Sequence, residues 1–506
     1  MSQPQKSWVS SVKLALAKPG KRYPVHSSQQ LMVSDEPSSS DGTSSDLSHH
    51  QPNELRPSAW FESFTTFAGS TTMMIIILVV ILAWIIVGII FKAPTTWQIV
   101  MNDSSSIQVY ITNTLLIHQQ FYNHHRTLRL FADMRSRSLS VREIITSLLQ
   151  CRVPTCHHSY VTVHHHKSSQ LTTESTYDKW VNRILATVGS WYSIAIYWTG
   201  IVIWLGLGNS VQWDNNWQLV INTATAVELT FTTVFLQHVR HRQLKFIETS
   251  VDLVKAQDER LLEYLRLIGG CVKQEVPEVE IPSQRLGFAH RFIDYYAAVL
   301  GGIPGMTLFV AVLISWLGVG HIMQWSSNWW LIFGTYTGLV SFIDEFVLRN
   351  IQMRDNEELD VELSNIVSID SASLTALDNQ SPSPASLPQD TNAALNLTQR
   401  MFQIIVFSVS CWQSVIASFV FTFAVIFVAS GMRWNLTGQL ICNTPTMIIE
   451  GYLMIILLYG QHSSITKRGI QFDDILLQRT TLFSKLEALY PLTNASSNTL
   501  EIDKKT

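Results

Sequence analysis

Trp97-Gln98-Ile99-Val100-Met101-Asn102 returns later in the chain as Trp217-Gln218-Leu219-Val220-Ile221-Asn222. A third copy reads Trp329-Trp330-Leu331-Ile332-Phe333-Gly334-Thr335, and a worn fourth reads Gly438-Gln439-Leu440-Ile441-Cys442-Asn443-Thr444. Each copy opens the second of two apolar stretches. Trp84, Trp204 and Trp316 keep matching offsets, as do Gly69, Gly189 and Gly301. Self-similarity at this scale constrains a fold more than any local propensity. The repeating unit is a hydrophobic hairpin, and there are four of them.

With 47% hydrophobic and only 14% charged residues, the 506-residue chain departs from ordinary soluble enzymes. Stretches 73–91, 184–207, 299–319 and 404–428 are each close to the ~20 residues that cross a bilayer. A more polar stretch follows each one, at 97–118, 217–238, 329–348 and 439–459. Polar helices recurring at matched positions suggest an interior lining. The expected fold is an all-α integral membrane protein with eight transmembrane helices, arranged as four two-helix hairpins with amphipathic cytoplasmic helices.

Arg and Lys set the orientation. Arg126, Arg129, Arg135, Arg137, Arg142 and Arg152 follow the first hairpin, and Arg240, Arg242, Lys245 and Lys255 the second. Arg349, Arg354, Lys467 and Arg468 continue the pattern, whereas 208–216 and 320–328 contain no Lys or Arg. Both termini and all long connections are therefore expected in the cytoplasm, with the chain in the plasma membrane. The expected organisation is a disordered tail (1–57), hairpin 1 (58–130), a His/Cys-containing cytoplasmic insertion (131–176) and hairpin 2 with a trailing helix (177–270). Hairpin 3 with its trailing helix (285–367), a flexible linker (368–396), hairpin 4 with its trailing helix (397–490) and a C-terminal tail (491–506) complete it. Five Cys without a disulfide framework fit a reducing compartment.

Acids inside membrane helices are expensive and usually face a cavity or a partner. Glu228 lies eleven residues after Trp217, about 16 Å along the helix, and Glu450 lies eleven after Gln439. Gln108 takes the Glu228 position in the first hairpin, and Asp344 and Glu345 sit deeper in the third. Asn102, Asn222 and Asn443, with Asp103, occupy an outer level. These nine residues are the expected ion pathway, since carboxylate and carbonyl oxygens suit hard and borderline divalent cations. His118 and His238, at matching inner positions, would add imidazole ligands. The bland alternatives are interhelical glue for the amides, pairing with Arg349 for Asp344 and Glu345, and interface packing for the two His.

A second constellation lies between the first two hairpins: Cys151, Cys156, His157, His158, His164, His165 and His166. Cys and His bind transition metals readily, but this spacing matches no closed zinc site. The readings are a cytosolic metal-binding segment or a solvated insertion.

The second copy, 217–223, with the run from Phe231 to Gln237 and then Arg242, resembles the low-affinity iron permease family. The third copy, closing with Arg354-Asp355-Asn356-Glu357-Glu358-Leu359 and a helical continuation through 361–366, resembles it too. The fourth departs with Gly438 and Pro445, and the first with Asp103-Ser104-Ser105-Ser106. The resemblance implies a permease that is not an enzyme, importing ferrous iron with copper and zinc tolerated. The alternatives are a metal-responsive membrane regulator and a carrier for another cation. No permanently bound cofactor is expected; Fe(II) and other divalent metals are substrates. The expected partners are metal ions and the lipid bilayer, with homo-oligomerisation open. The net charge of −3 argues against nucleic acid.

Overall fold

A computed structural model describes residues 22, 24–27, 59–151, 176–269, 277–283, 286–378 and 397–490. Among them the chain is all-α, apart from one antiparallel ribbon of β1 (Val25–His26) and β2 (Glu280–Ile281). The same series recurs four times: a short helix, a sharp joint, an apolar helix, a tight turn and a very long helix. The short helices are α1 (Ala59–Ala68), α4 (Thr176–Val188), α7 (Phe288–Leu300) and α10 (Leu397–Ser410). The apolar helices are α2 (Thr71–Ile90), α5 (Trp191–Gly208), α8 (Ile303–Gly320) and α11 (Trp412–Gly431). The long ones are α3 (Thr95–Cys151), α6 (Asn215–Gly269), α9 (Ser327–Asp378) and α12 (Leu436–Leu489).

Local chemistry explains the breaks. Ser70 and Ser190 sit at the joints and accept from the backbone N–H groups of Met73 and Ser193, capping α2 and α5. Each tight turn spends two consecutive left-handed residues, Lys92-Ala93, Gln212-Trp213, Gln324-Trp325 and Arg433-Trp434. Such backbone costs roughly 1–2 kcal/mol per non-glycine residue. The turns are held by bonds from Ala93, Trp213, Trp325 and Trp434 N–H to the carbonyls of Gly88, Gly208, Gly320 and Ala429. The repeated Trp residues then clasp the two arms: Trp204 stacks on Trp217 at 3.8 Å and Trp316 on Trp329 at 3.9 Å. These rings need glycine beneath them, for a Cβ on Gly88 would lie 2.4 Å from Trp97. In the fourth unit both sizes change together, Ala429 for Gly and Gly438 for Trp.

The long helices, 52 to 57 residues each, are about 80 Å long and run parallel as one bundle. Their order around the axis is α3, α6, α12, α9. Every apolar helix leans on the next long helix rather than its own alone: α2 on α6, α5 on α12, α11 on α9, α8 on α3. The units are thus interlocked in a ring with approximate fourfold symmetry. Counting from Trp97, Trp217, Trp329 and Gly438 brings equivalent residues into layers. At thirty-seven residues on, Met134, Val254, Ile366 and Ile475 form one fully buried layer. Burying such a set is worth about 6–12 kcal/mol gross, most of it offset by chain entropy.

Seven of the described helices are long and apolar enough to cross a membrane; α3 falls short because Asn102, Asp103, Ser104, Ser105, Ser106 and Gln108 dilute it. Three sequence-based boundaries shift. Residues 131–151, expected in an insertion, complete α3, because Phe131, Met134, Val141 and Ile145 pack into the bundle core. The linker expected from 368 begins no earlier than 379, since Leu374 and Leu377 are buried in that core. Within the expected tail, Val25 is buried beside Leu128 and Val251, and Arg22 is anchored by acids.

Candidate functional site

The axis of the half nearer the tight turns, called the outer half below, alternates apolar and polar layers. Two residues beyond the anchors, Ile99, Leu219, Leu331 and Leu440 form an aliphatic ring of their own. At nineteen residues, Leu116, Leu236, Leu348 and Leu457, all fully buried, form another. The seventeen residues between them span about 25 Å. Neither ring figured among the sequence-based expectations, although equal offsets in four copies were the available signal.

Just inside the outer ring, Asn102, Asn222 and Asn443 occupy equivalent positions and are buried. Both amide atoms of Asn102 and Asn222 lack a protein hydrogen-bond partner, as does Asn443 Nδ2. The fourth corner is Gly334, where a Cβ would lie only 2.0 Å from Asp103 Oδ1. The Asp103 carboxylate therefore fills the space that an asparagine side chain takes in the other three helices. Both its oxygens are buried without a partner.

Deeper lie the acids. Glu228 of α6 packs against α12, where a Cβ on Gly451 would be 2.5 Å from Glu228 Oε2. Tyr197 of α5 closes that seam, its hydroxyl donating to the Ile448 carbonyl at 2.7 Å. Glu345 interacts electrostatically with Glu450 and Glu228, and Asn113 of α3 lies beside it. Glu228 and Glu345 have both oxygens buried without a well-formed hydrogen bond, and Glu450 has one. No basic side chain bridges any of them among the described residues. Asn113, fully buried beside Glu345, was missed in the sequence; it lies sixteen residues after Trp97, as Glu345 does after Trp329.

Asp344 joins these acids: one oxygen accepts from the Tyr296 hydroxyl of α7 at 2.9 Å, the other is buried without a partner, and the group interacts electrostatically with Glu450 and Glu345. The remaining sequence candidates make other contacts. Gln108 bridges α3 and α6, donating to Thr112 and Thr233. His118 and His238 bond outward to joints of neighbouring units, the carbonyls of Gly301 and Gly69, each at 3.1 Å. Asn350 does the same for Ser410 at 2.7 Å. Cys151 is the last residue of α3, while Cys156, His157, His158, His164, His165 and His166 lie outside the described residues. Among the described residues, no group of three or more His, Cys, Asp or Glu converges closely enough to hold a metal ion.

Below the inner leucine ring the polarity reverses. Twenty-three residues beyond the anchors stand Gln120, Arg240, Gln352 and Gln461. Arg22 from the N-terminal strand reaches Asp355 at 2.8 Å and Asp294 at 3.1 Å. Burial pushes the Asp355 carboxyl up, but His124, Arg22 and Gln120 outweigh it and hold the group below its usual range.

The family described as Low affinity iron permease matches residues 60–173, 177–265, 289–389 and 398–501. The chain is 38% identical over 430 residues to the low-affinity iron/zinc ion transport protein fet4 of Schizosaccharomyces pombe, covering 84% of this chain and 72% of that one. It is 31% identical over 456 residues to the low-affinity Fe(2+) transport protein of Saccharomyces cerevisiae, covering 84% and 82%. No solved structure matches.

Proposed function

As this chain belongs to the low affinity iron permease family, we propose that it is a multi-pass permease carrying ferrous iron, and with it zinc, copper and other divalent ions, into the cytoplasm. The names of the two yeast relatives support iron as cargo, and one supports zinc. In this reading α3 is the eighth crossing, its polar residues turned to the axis rather than to lipid. The arginine-rich inner segments support a reading in which both termini lie on the cytoplasmic side of the plasma membrane.

The observation that carries the proposal is a tier of buried carboxylates, Glu228, Glu345 and Glu450, with no bridging base among the described residues and an aliphatic ring on either side. Lipid and packing give no reason to keep such charges; a passing cation does. An entering ion would exchange waters for the oxygens of Asn102, Asn222, Asn443 and Asp103, then for the carboxylates below. Oxygen ligands suit Fe(II) without gripping it as thiolates would. Both aliphatic rings must part for passage, since dry constrictions bar a hydrated ion.

The test is uptake of radioactive iron by cells expressing the Glu228→Gln/Glu450→Gln double variant at matched surface abundance. Loss of a shared electrostatic site predicts a fall of about tenfold or more, with each tenfold worth about 1.4 kcal/mol. Uptake equal to wild type would place the path elsewhere.

A further inference from the structure

A cavity of about 50 Å³ lies on the axis just inside the inner leucine ring. Roughly 10–15 Å³ of such space admits one water, so this one has room for a small ion. Its lining includes Arg240, Arg468, Gln119, Gln243, Gln352 and Gln461, and no Asp or Glu. Arg240 and Arg468 are 5% and 3% exposed. Arg240 Nη1 makes one long bond, to the Leu116 carbonyl at 3.4 Å, while its Nε and Nη2 have no partner. Arg468 Nη2 donates to Asn356 at 2.6 Å, and its Nε has none.

The surrounding acids are already engaged. Asp355 is held by Arg22 and by Gln120, Glu358 by His124, and Asp360 by Lys467. Arg349, another nearby base, bonds to Ser410 and Gln352 and adds positive charge. Two buried guanidiniums thus face one cavity with free N–H groups; Asp355 and Asp360 act on them electrostatically, but among the described residues neither guanidinium makes an ion pair. Buried charges are normally paired, and the planar guanidinium fork matches an oxyanion bidentately.

We propose that this cavity binds a small inorganic oxyanion of the phosphate class, gripped between Arg240 of α6 and Arg468 of α12. Within a cation pathway the anion would offset a positive inner mouth, a consequence that rests on the permease reading. Binding itself does not.

Thermal unfolding of the purified full-length protein in a maltoside detergent, which carries no phosphate headgroup, tests it. Inorganic phosphate through the millimolar range is expected to raise the melting temperature by several degrees and to saturate, while chloride at equal ionic strength is not. Arg240→Gln should lose this response. The variant is expected to fold because Gln stands at that position in the other three long helices. Arg468→Gln should weaken the response, and it serves as the test variant should Arg240→Gln fold poorly. Equal responses to phosphate and chloride in the wild type, or a phosphate response that survives both substitutions, would overturn the proposal. Equilibrium dialysis of the wild type with radioactive phosphate gives an answer independent of any variant: saturable binding supports the site, and its absence overturns it.

Discussion

The outer acid tier and one layer of the inner half are built from the same four helices in the same register, yet they treat buried charge in opposite ways. Forty-one residues beyond the anchors, in the inner half, one layer holds Ser138, Asp258, Asp370 and Arg479. Arg479 Nε meets Asp370 at 3.1 Å, Nη2 donates to Ser138 at 2.7 Å, and Nη1 contacts Asp258. One residue from each helix completes the set. In the outer half Glu228, Glu345 and Glu450 share an equally enclosed space, and among the described residues no cation arrives from any helix. The inner layer shows that this architecture can pair a buried acid across the axis. That it does not do so in the outer half is the strongest structural argument that those acids serve something other than packing.

The comparison breaks most visibly at Arg479. Removing one member of a buried ion set leaves uncompensated charge and costs about 3–5 kcal/mol, whereas replacing the whole set with apolar residues of similar volume is often neutral. Arg479→Leu is therefore expected to lower the melting temperature sharply, and Arg479→Leu with Asp258→Leu and Asp370→Leu to recover most of it. Burial holds the Asp370 carboxyl up at about 7 and draws Arg479 down to about 9. An acid whose folded pKa is raised binds its proton more tightly when folded, so its burial costs more as pH climbs from about 4 through 7. The single variant should consequently lose less stability at pH 5 than at pH 8. A loss independent of pH would mean that Arg479 acts through packing alone.

A second probe tests whether the outer layers share the same fourfold register. If Asp103 substitutes for a side chain that Gly334 lacks, Gly334→Asn forces two polar groups into one space. Overpacking of that kind costs about 1–3 kcal/mol. Adding Asp103→Ala should restore stability, giving a coupling well beyond the few tenths expected of independent sites. Additive effects on the melting temperature would show that Asp103 does not complete the asparagine layer.

The sequence carried much of this, because the repeats made equivalent positions legible: the outer asparagines, the mid-depth acids and the recurring Trp anchors are all placed by offset. Beyond Asn113, the two aliphatic rings and the shifted boundaries, tertiary relations escaped it. Depth alone does not distinguish Asp344 from Glu345; about 100° of helical rotation gives Asp344 the Tyr296 hydroxyl, while both acids interact electrostatically with Glu450. The ring order α3, α6, α12, α9 is a tertiary property, since each apolar helix docks on a neighbouring unit. Along the chain the His118 and His238 imidazoles read as ligands or as interface residues, and the joints they meet, which belong to units 183 and 169 residues away in sequence, are not legible there. Periodicity reports which residues are equivalent; it does not report which neighbour supplies the partner.

The finest test of the contrast is Glu345→Gln, where the expected stability change is smallest and its sign matters. If the outer acids contributed to cohesion as Asp370 does, the neutral amide would destabilise the bundle. If they are like charges confined together for a passing cation, the amide relieves repulsion and should leave the melting temperature unchanged or raise it, by at most about 1 kcal/mol in stability. Like charges sharing a site disfavour ionisation of one another, so the relief should shrink as pH falls and the remaining carboxylates take up protons. Iron uptake by the same variant should fall even as stability holds. A melting temperature lowered to the extent seen for Arg479→Leu would erase the distinction between the two halves and return Glu345 to a packing role.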